Sequence, residues 1–180
     1  MTEIELKLIR MDKSHYYQKI SDSKVQINYN SRIFFDKFKR VDSLLGLNII
    51  NKHIKNEITI AHSLINSRNK VENIVIDYNG TDDESFYHKA QLLLRDEGYL
   101  NFTAYRSKTK GHLHIYIHKG HTDLSEAKLI AKTLNLKLAA LAPKQWRIFP
   151  TDEVPPSFNI LVLPYSVYAK ERGTSWLKHM

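Results

Sequence analysis

Hydrophobic and polar positions alternate most regularly over residues 71–150, and the pattern there predicts strand, helix, strand, strand, helix, strand. Strands are rich in β-branched and aromatic residues, repeat every second residue and end at turn-forming residues. Four segments have this character: residues 73–78, 101–107, 112–118 and 145–150. The second and third are separated only by the turn at residues 108–111, so they predict a hairpin.

Two segments between these strands have the periodicity of amphipathic helices. Residues 81–98 have an acidic first turn and close at Gly98, and residues 122–137 place Asp123 and Glu126 at the spacing of a capping box. The expected buried stripes are Phe86, Ala90, Leu93 and Leu94 in the first helix, and Leu124, Ala127, Ile130, Ala131 and Leu134 in the second.

This order of elements predicts an α+β fold with a ferredoxin-like, RNA-recognition-type βαββαβ core, an antiparallel sheet with both helices on one face. We expect a single domain over residues 1–180, with the core at 71–150, an N-terminal extension at 1–70 that packs on the sheet, and a C-terminal strand and tail at 151–180. Outside the core the pattern predicts a short helix near residues 12–20, a strand-like segment at 32–38, a helix through 43–54 and a last strand at 158–165.

The phase of the strands separates apolar from polar side chains, because alternate residues of a strand point to opposite faces. In the third strand the apolar set, expected under the helices, is Leu113, Ile115 and Ile117, and the opposite set is His112, His114, Tyr116 and His118. In the first strand Ile74, Ile76 and Tyr78 belong with the apolar set. Asp77 and Asn79 are therefore expected on the face that carries His114.

Composition narrows the candidate partners. The chain has 180 residues, a formal charge of +8 and no cysteine. The positive charge favours polyanionic partners such as nucleotides and nucleic acids. The absence of cysteine excludes disulfides, thiolate zinc sites and cysteine nucleophiles, and it fits a cytoplasmic location. No apolar run approaches the length of a membrane span, so no membrane partner is expected.

The residues on the histidine face have the chemistry to bind a metal-bound triphosphate. Asp77 and Asn79 offer the oxygen ligands that Mg²⁺ or Mn²⁺ prefers. Lys108 and Lys110 offer cations for phosphate, and backbone N–H groups at the Gly111 turn can donate to phosphate oxygens. An ordinary strand-end turn and a solvated hairpin tip remain the simpler interpretation of the same residues.

These motifs resemble the archaeo-eukaryotic primase, or prim-pol, superfamily, whose first motif is a hydrophobic strand ending in Asp-x-Asp/Glu. The stretch "IVIDYNG" resembles that motif, with Asp77 in the leading position. The stretch "SKTKGHLHIYI" resembles the second motif, in which a serine opens a basic turn and a histidine follows in the next strand. The resemblance implies catalytic roles for Asp77 and His114 and metal binding by Asp77 and Asn79. It implies nucleotide binding by Ser107, Lys108, Lys110, Gly111, His112, Tyr116 and Arg147.

The chain departs from the superfamily pattern at its carboxylates. Asn79 stands in place of the second carboxylate, and Gln145 and Arg147 occupy the strand that carries the third. Phosphoryl transfer by two metal ions requires ligands for both. The resemblance therefore implies binding of a nucleoside triphosphate with Mg²⁺ or Mn²⁺, with polymerase activity weak or lost, and leaves open whether the protein is an enzyme. The whole chain also resembles a bacterial domain-of-unknown-function family, number 1882.

Three alternatives remain on the sequence alone. The first is a binding module for single-stranded DNA or RNA that stacks bases on Tyr105 and Tyr116 of an open sheet face. In the second, His112 and His114 bind zinc together with His118 or Asp77. The third is a structural role in which the histidine row is a solvated surface.

Overall fold

The computed structural model describes residues 8–22 and 25–171, and in this part of the chain three α-helices and eleven strands form an α+β fold. The strands are β1 (Tyr16–Lys19), β2 (Gln26–Tyr29), β3 (Arg32–Phe35), β4 (Phe38–Val41), β5 (Ile60–Ser63), β6 (Lys70–Tyr78), β7 (Phe102–Arg106), β8 (Leu113–Asp123), β9 (Trp146–Phe149), β10 (Ile160–Val162) and β11 (Ser166–Glu171). The helices are α1 (Leu47–Ile54), α2 (Asp83–Asp96) and α3 (Leu124–Ala139).

The central element is a five-stranded antiparallel sheet with the strand order β11-β7-β8-β6-β9. From β6 to β9 the elements follow one another in the predicted order: strand, helix, strand, strand, helix, strand. The apolar residues of β6 and β8 form one core with α2 and α3, and the members predicted from strand phase are all present: Ile74, Ile76, Tyr78, Leu113, Ile115 and Ile117. Both helices therefore bury one face of this sheet.

The ends of α2 form as the sequence predicts, whereas the start of α3 does not. The carboxylate of Asp82 accepts a hydrogen bond from the backbone N–H of Ser85, and Gly98 closes α2 with a φ of +84°. Asp123 caps α3 by position, but its side chain makes no capping hydrogen bond. It forms an ion pair with Lys70 on β6 instead. The predicted capping box is wrong because a long-range partner takes the carboxylate.

A second sheet, with the order β10-β5-β1-β4, covers part of the other face of the central sheet. Apolar residues from both sides meet there in a separate core that contains Leu64, Leu161, Val75 and Tyr116. The expectation that the N-terminal region packs on the sheet is met, but through strands. The predicted helix near residues 12–20 is wrong, because β1 pairs on both sides with β4 and β5.

Two further segments differ from the sequence-based expectation. The strand-like segment at 32–38 divides between β3 and the first residue of β4. Of the expected last strand at 158–165, residues 160–162 form β10; β11 begins after the expected range, at residue 166, and belongs to a different sheet. The hairpin β2–β3 pairs with no other strand among the described residues. Its anchor is the ring of Phe34, which contacts Phe158 edge-on with ring centroids 5.8 Å apart.

Within residues 8–22 and 25–171, no helix has the length and apolar character required to cross a bilayer.

The β7–β8 turn lies close to the turn after β6, and substitution of two glycines tests this contact. Gly111 and Gly120 both have positive φ, +87° and +73°. A Cβ atom on Gly111 would lie 3.2 Å from the backbone oxygen of Gly80, whereas a Cβ on Gly120 would meet nothing within 4 Å. We expect Gly120→Ala to lower the free energy of unfolding by about 1 kcal/mol and Gly111→Ala by about 2–3 kcal/mol.

Urea denaturation of both variants measures the difference, and Gly120→Ala is the matched control for the cost of positive φ. If both variants lost the same free energy of unfolding, the β7–β8 turn and the turn after β6 would not constrain each other.

Candidate functional site

A row of four side chains crosses the central sheet on the face opposite α2 and α3. In the strand register Tyr105 on β7 is opposite His114 on β8, His114 is opposite Asp77 on β6, and Asp77 is opposite Arg147 on β9. Paired residues of antiparallel strands share a face, so these side chains emerge on one side. The predicted placement of Asp77 and His114 on a common face is confirmed.

The contact between Asp77 and His114 leaves hydrogen-bonding capacity unused. His114 Nε2 lies 3.4 Å from Asp77 Oδ1, with side-chain exposures of 5% and 20%. This is too long for a good hydrogen bond, and neither Asp77 Oδ1 nor His114 Nδ1 has a hydrogen-bond partner among the residues that the structure describes. Buried polar atoms are almost always paired in folded proteins, so two adjacent exceptions mark a place where a further polar group would be favourable.

Asp77 lines a shallow cavity of about 340 Å³, which lies where β6 ends and β9 begins. Its lining is polar and partly cationic: Asp77, Asn79, Lys144, Gln145, Trp146 and Arg147. Lys144 Nζ donates to Asn135 Oδ1 at 2.6 Å and lies over the Trp146 ring. The exposed Arg147 forms no ion pair with any residue of the described part of the chain. A carboxylate, an amide and a guanidinium that has no ion-pair partner in the described part of the chain thus line one solvent-accessible space.

The predicted turn residues lie at the same end of the sheet as this cavity, but they do not line it. The backbone N–H of Ser107 donates to the oxygen of His112, and that of Asn79 donates to the oxygen of Gln145, so these residues form the next row after Asp77. Lys108 and Lys110 are exposed at the hairpin tip, and Gly111 is buried against the turn after β6. Whether they contact a nucleotide remains a prediction.

Tyr116 is not available to a ligand. It is fully buried in the core between the two sheets, and its hydroxyl is hydrogen-bonded to His62 Nε2 at 2.8 Å. Burial raises the pKa of its phenol well above the ordinary value. Tyr105 is buried beside it. The predicted nucleotide contact of Tyr116 is therefore wrong, and so is the alternative in which bases stack on these two rings, because β5 and β10 cover them.

Two buried histidines near His114 are held neutral. His53 Nδ1 accepts the backbone N–H of Ile60 at 3.1 Å, so its Nε2 carries the proton and donates to the oxygen of Leu163 at 2.7 Å. Burial lowers the pKa of His53, and burial lowers that of His62 to about 4. Protonation of either ring would place an uncompensated charge in the core.

The zinc alternative does not fit the geometry. Among residues 8–22 and 25–171, no three histidine, aspartate or glutamate side chains are grouped so that they could bind a metal ion. His118 instead contacts Thr103 Oγ1 and Asn73 Oδ1 through its two ring nitrogens. Asp152, a carboxylate that follows the strand β9, pairs with Lys128 on α3. Asp77 is thus the carboxylate at this site, and Asn79 its neighbouring amide.

Sequence reasoning missed a larger space that adjoins the site through Arg147. This groove, of about 750 Å³, lies between the hairpin β2–β3, strand β4 and the segment after β9. Six of its residues are aromatic: Tyr17, Phe34, Phe35, Phe38, Phe149 and Phe158. The sequence signal for this groove was the stretch "RIFFDKFKR", which combines three aromatic residues with four basic ones. So many charges are unusual in a buried strand.

The comparisons with known proteins concern the first part of the chain. Residues 1–73 match the family model of DUF1882, a domain of unknown function. The resemblance to that family is therefore confirmed for this segment. No curated protein matches the chain. The matched DUF1882 segment includes β1 to β5 and α1, and it ends within β6. It does not reach Asp77, so the primase resemblance rests on the motifs of residues 71–150 alone.

The buried histidines predict a loss of stability in mild acid. Because the pKa of His62 is lowered to about 4 from its ordinary 6.5, the unfolded chain binds a proton in this range that the folded chain does not. Stability from this residue is complete above pH 6.5 and decreases as the pH falls towards 4. Between pH 7 and pH 5 we expect a loss of about 2 kcal/mol from His62, with a further loss from His53.

Urea denaturation across this range measures the effect, and His62→Gln should flatten the pH dependence. His88→Gln, at an exposed position of α2, is the matched control and should retain the wild-type slope. A slope unchanged in His62→Gln would contradict the prediction.

Proposed function

We propose that the protein binds a nucleoside triphosphate in the cavity beside Asp77, with the phosphates near Arg147 and the associated divalent metal ion near Asp77. One observation carries the proposal. Asp77, His114 and Arg147 lie in register on three neighbouring strands. Within residues 8–22 and 25–171, Asp77 Oδ1 has only the long contact with His114, His114 Nδ1 has no hydrogen-bond partner, and the guanidinium forms no ion pair. Phosphate oxygens complement the guanidinium, and a hard cation complements the carboxylate.

The ligand set supports one shared metal ion rather than two. Asp77 Oδ1 is buried and makes no hydrogen bond with the described residues, and the exposed Asn79 supplies a second oxygen. Mg²⁺ commonly keeps several waters and is held by one or two protein oxygens together with substrate phosphates. Asp77 and Asn79 fit that pattern and would hold Mg²⁺ or Mn²⁺ as part of a metal–triphosphate complex. When bound, the ion would neutralise phosphate charge.

The prim-pol resemblance is retained within this proposal for the fold and for binding. The strand order β7-β8-β6-β9, with α2 and α3 on one face, supports the interpretation of this region as a ferredoxin-like βαββαβ unit. The Ser107 turn and His112 lie one row beyond Asp77 and would meet the distal end of a bound triphosphate, where Lys108 and Lys110 can approach phosphate. Arg147 stands on β9 opposite Asp77, where a third carboxylate would be expected, so we propose binding and not bond formation.

Thermal unfolding with a panel of ribo- and deoxyribonucleoside triphosphates, each with and without MgCl₂, tests the proposal. A ligand at about a hundred times its dissociation constant adds about 2.7 kcal/mol, which corresponds to about 5–10 °C in melting temperature for a chain of this size. We expect Asp77→Asn to abolish the part of the shift that requires magnesium. Arg147→Gln should reduce the shift with and without magnesium, because the guanidinium contacts phosphate directly.

Two matched controls remove the same charges elsewhere. Asp96→Asn lies at the exposed end of α2, and Arg68→Gln lies in the turn before β6, at the far end of the sheet. Both should respond like wild type. Inorganic tripolyphosphate shows whether the phosphates alone suffice. If no triphosphate stabilises wild type at saturating concentration, or if Asp77→Asn and Arg147→Gln respond like the controls, the proposal fails.

A further inference from the structure

The groove next to Arg147 has an unusual lining for a protein surface. Its walls come from two parts of the chain: the DUF1882 segment, which contributes Phe35, Lys37, Phe38 and Arg40, and β9 with the segment after it, which contributes Arg147 and Phe158. Its volume, about 750 Å³, is that of a typical ligand site. Aromatic and cationic side chains therefore face the same space.

The hairpin β2–β3 shows which apolar side chains the fold does not use. An isolated two-stranded hairpin is marginal in water, so it must be anchored by packing. Phe34 provides the anchor, because its ring meets Phe158 and belongs to the margin of the core between the sheets. Ile33 and Phe35, the neighbours of Phe34 on β3, remain 60% and 48% exposed. Within the described part of the chain no element covers these two side chains, so they remain available for contact beside the groove.

The charges at this groove select the kind of partner. Lys37 and Arg147 pair with no acidic group in residues 8–22 and 25–171, and Arg40 is held by Asp42 at 2.8 Å but keeps donors free. The acidic residue of the lining, Asp36, accepts the backbone N–H of Phe38 at 3.2 Å and so shapes the turn between β3 and β4. Net positive charge among aromatic rings complements a chain that carries phosphates and flat bases.

We propose that this groove binds single-stranded nucleic acid, with bases stacked on Phe35 and Phe38 and phosphates bound by Lys37 and Arg147. Stacking on aromatic side chains combined with a cationic track is how proteins hold single strands without reading their sequence. A duplex would not fit this chemistry, because its bases are stacked on one another and only its phosphates would reach the groove. An acidic polypeptide would satisfy the cations but would bring no flat rings to Phe35.

Arg147 connects this groove with the cavity beside Asp77, because its side chain lines both. The inference does not rest on the proposed triphosphate site, since Phe35, Phe38 and Lys37 lie outside the cavity beside Asp77 and only Arg147 is common to both. The shared arginine nevertheless places the two spaces next to each other. A single-stranded nucleic acid bound in the groove would therefore have one end close to the position proposed for the triphosphate.

Fluorescence anisotropy with labelled mixed-sequence oligonucleotides tests the inference, with single-stranded DNA, single-stranded RNA and a DNA duplex as separate arms. We expect wild type to bind the single strands more tightly than the duplex at low salt. The DNA and RNA arms show which sugar is preferred. Phe35→Ser should weaken binding on the order of tenfold through lost stacking. Lys37→Gln should weaken binding and reduce the slope of log affinity against log salt by about 0.7.

Matched controls separate the groove from the general basic surface. Leu136→Ser removes an exposed apolar side chain from α3, and Arg68→Gln removes a charge from the far end of the sheet. Both should bind single strands like wild type. Phe35 and Lys37 are exposed, so their variants should unfold at the wild-type temperature, and the melting curve verifies this.

The outcomes also distinguish this inference from the proposed function. Phe35→Ser should lose oligonucleotide binding while a triphosphate still stabilises it, and Asp77→Asn should show the reverse. Equal binding of single strand and duplex with no effect of Phe35→Ser would overturn the inference in favour of unspecific charge. Tighter, Phe35-dependent binding of labelled poly-glutamate would overturn it in favour of an acidic protein partner. Absence of oligonucleotide binding at low salt would overturn it outright.

Discussion

The register between β6 and β8 is the constraint on which the rest of the structure depends. It pairs Ile76 with Ile115 on one face and, one residue further, Asp77 with His114 on the other. Because side chains alternate with a period of two, a slip by one residue would place Asp77 against the helices and expose the isoleucines. The apolar core under α2 and α3 therefore also determines where the polar row appears. Packing and candidate chemistry are two consequences of one pairing.

The second sheet determines how much of that polar face remains accessible. β5 and β10 cover Tyr116 and bury His62 beside it, where burial keeps the imidazole neutral with a pKa of about 4. Coverage is complete over Tyr116, nearly complete over His114 and only partial over Asp77. The same packing that holds the two sheets together thus leaves one end of the row open. A site at the margin of a covered face is rigid on one side and solvated on the other, which suits the binding of a charged ligand.

The central sheet was predictable because its information is local. Short stretches of sequence are enough to predict three of its parts: the strand β6, the helix α2 between Asp82 and Gly98, and the alternation of apolar and polar residues in β8. In each stretch, neighbouring residues favour the same secondary structure. The relation of Asp77 to His114 followed from strand phase alone. Sequence reasoning reached this far because alternation in a strand is independent of what covers the sheet.

The N-terminal region was not predictable for the opposite reason. Strand β1 has four residues, and it is a strand only because β4 and β5 supply partners on both sides. Asp123 has the spacing of a capping residue, but Lys70, distant in sequence, takes its carboxylate. Tyr116 had the phase of an exposed ring, and its burial depends on a sheet whose existence no local pattern shows. Each error is a case in which a long-range contact outweighed a local preference.

Arg147 connects the two proposed sites. It stands directly opposite Asp77 across the β6–β9 pair, where an ion pair would be the ordinary outcome, yet these two residues form none. The guanidinium lines both the cavity and the groove, while one carboxylate oxygen has no hydrogen-bond partner in the described part of the chain. An ion pair between them would satisfy both groups and would occupy the guanidinium. The separation of these opposite charges therefore leaves the cation accessible from both spaces, which is the property that the proposed phosphate contacts require.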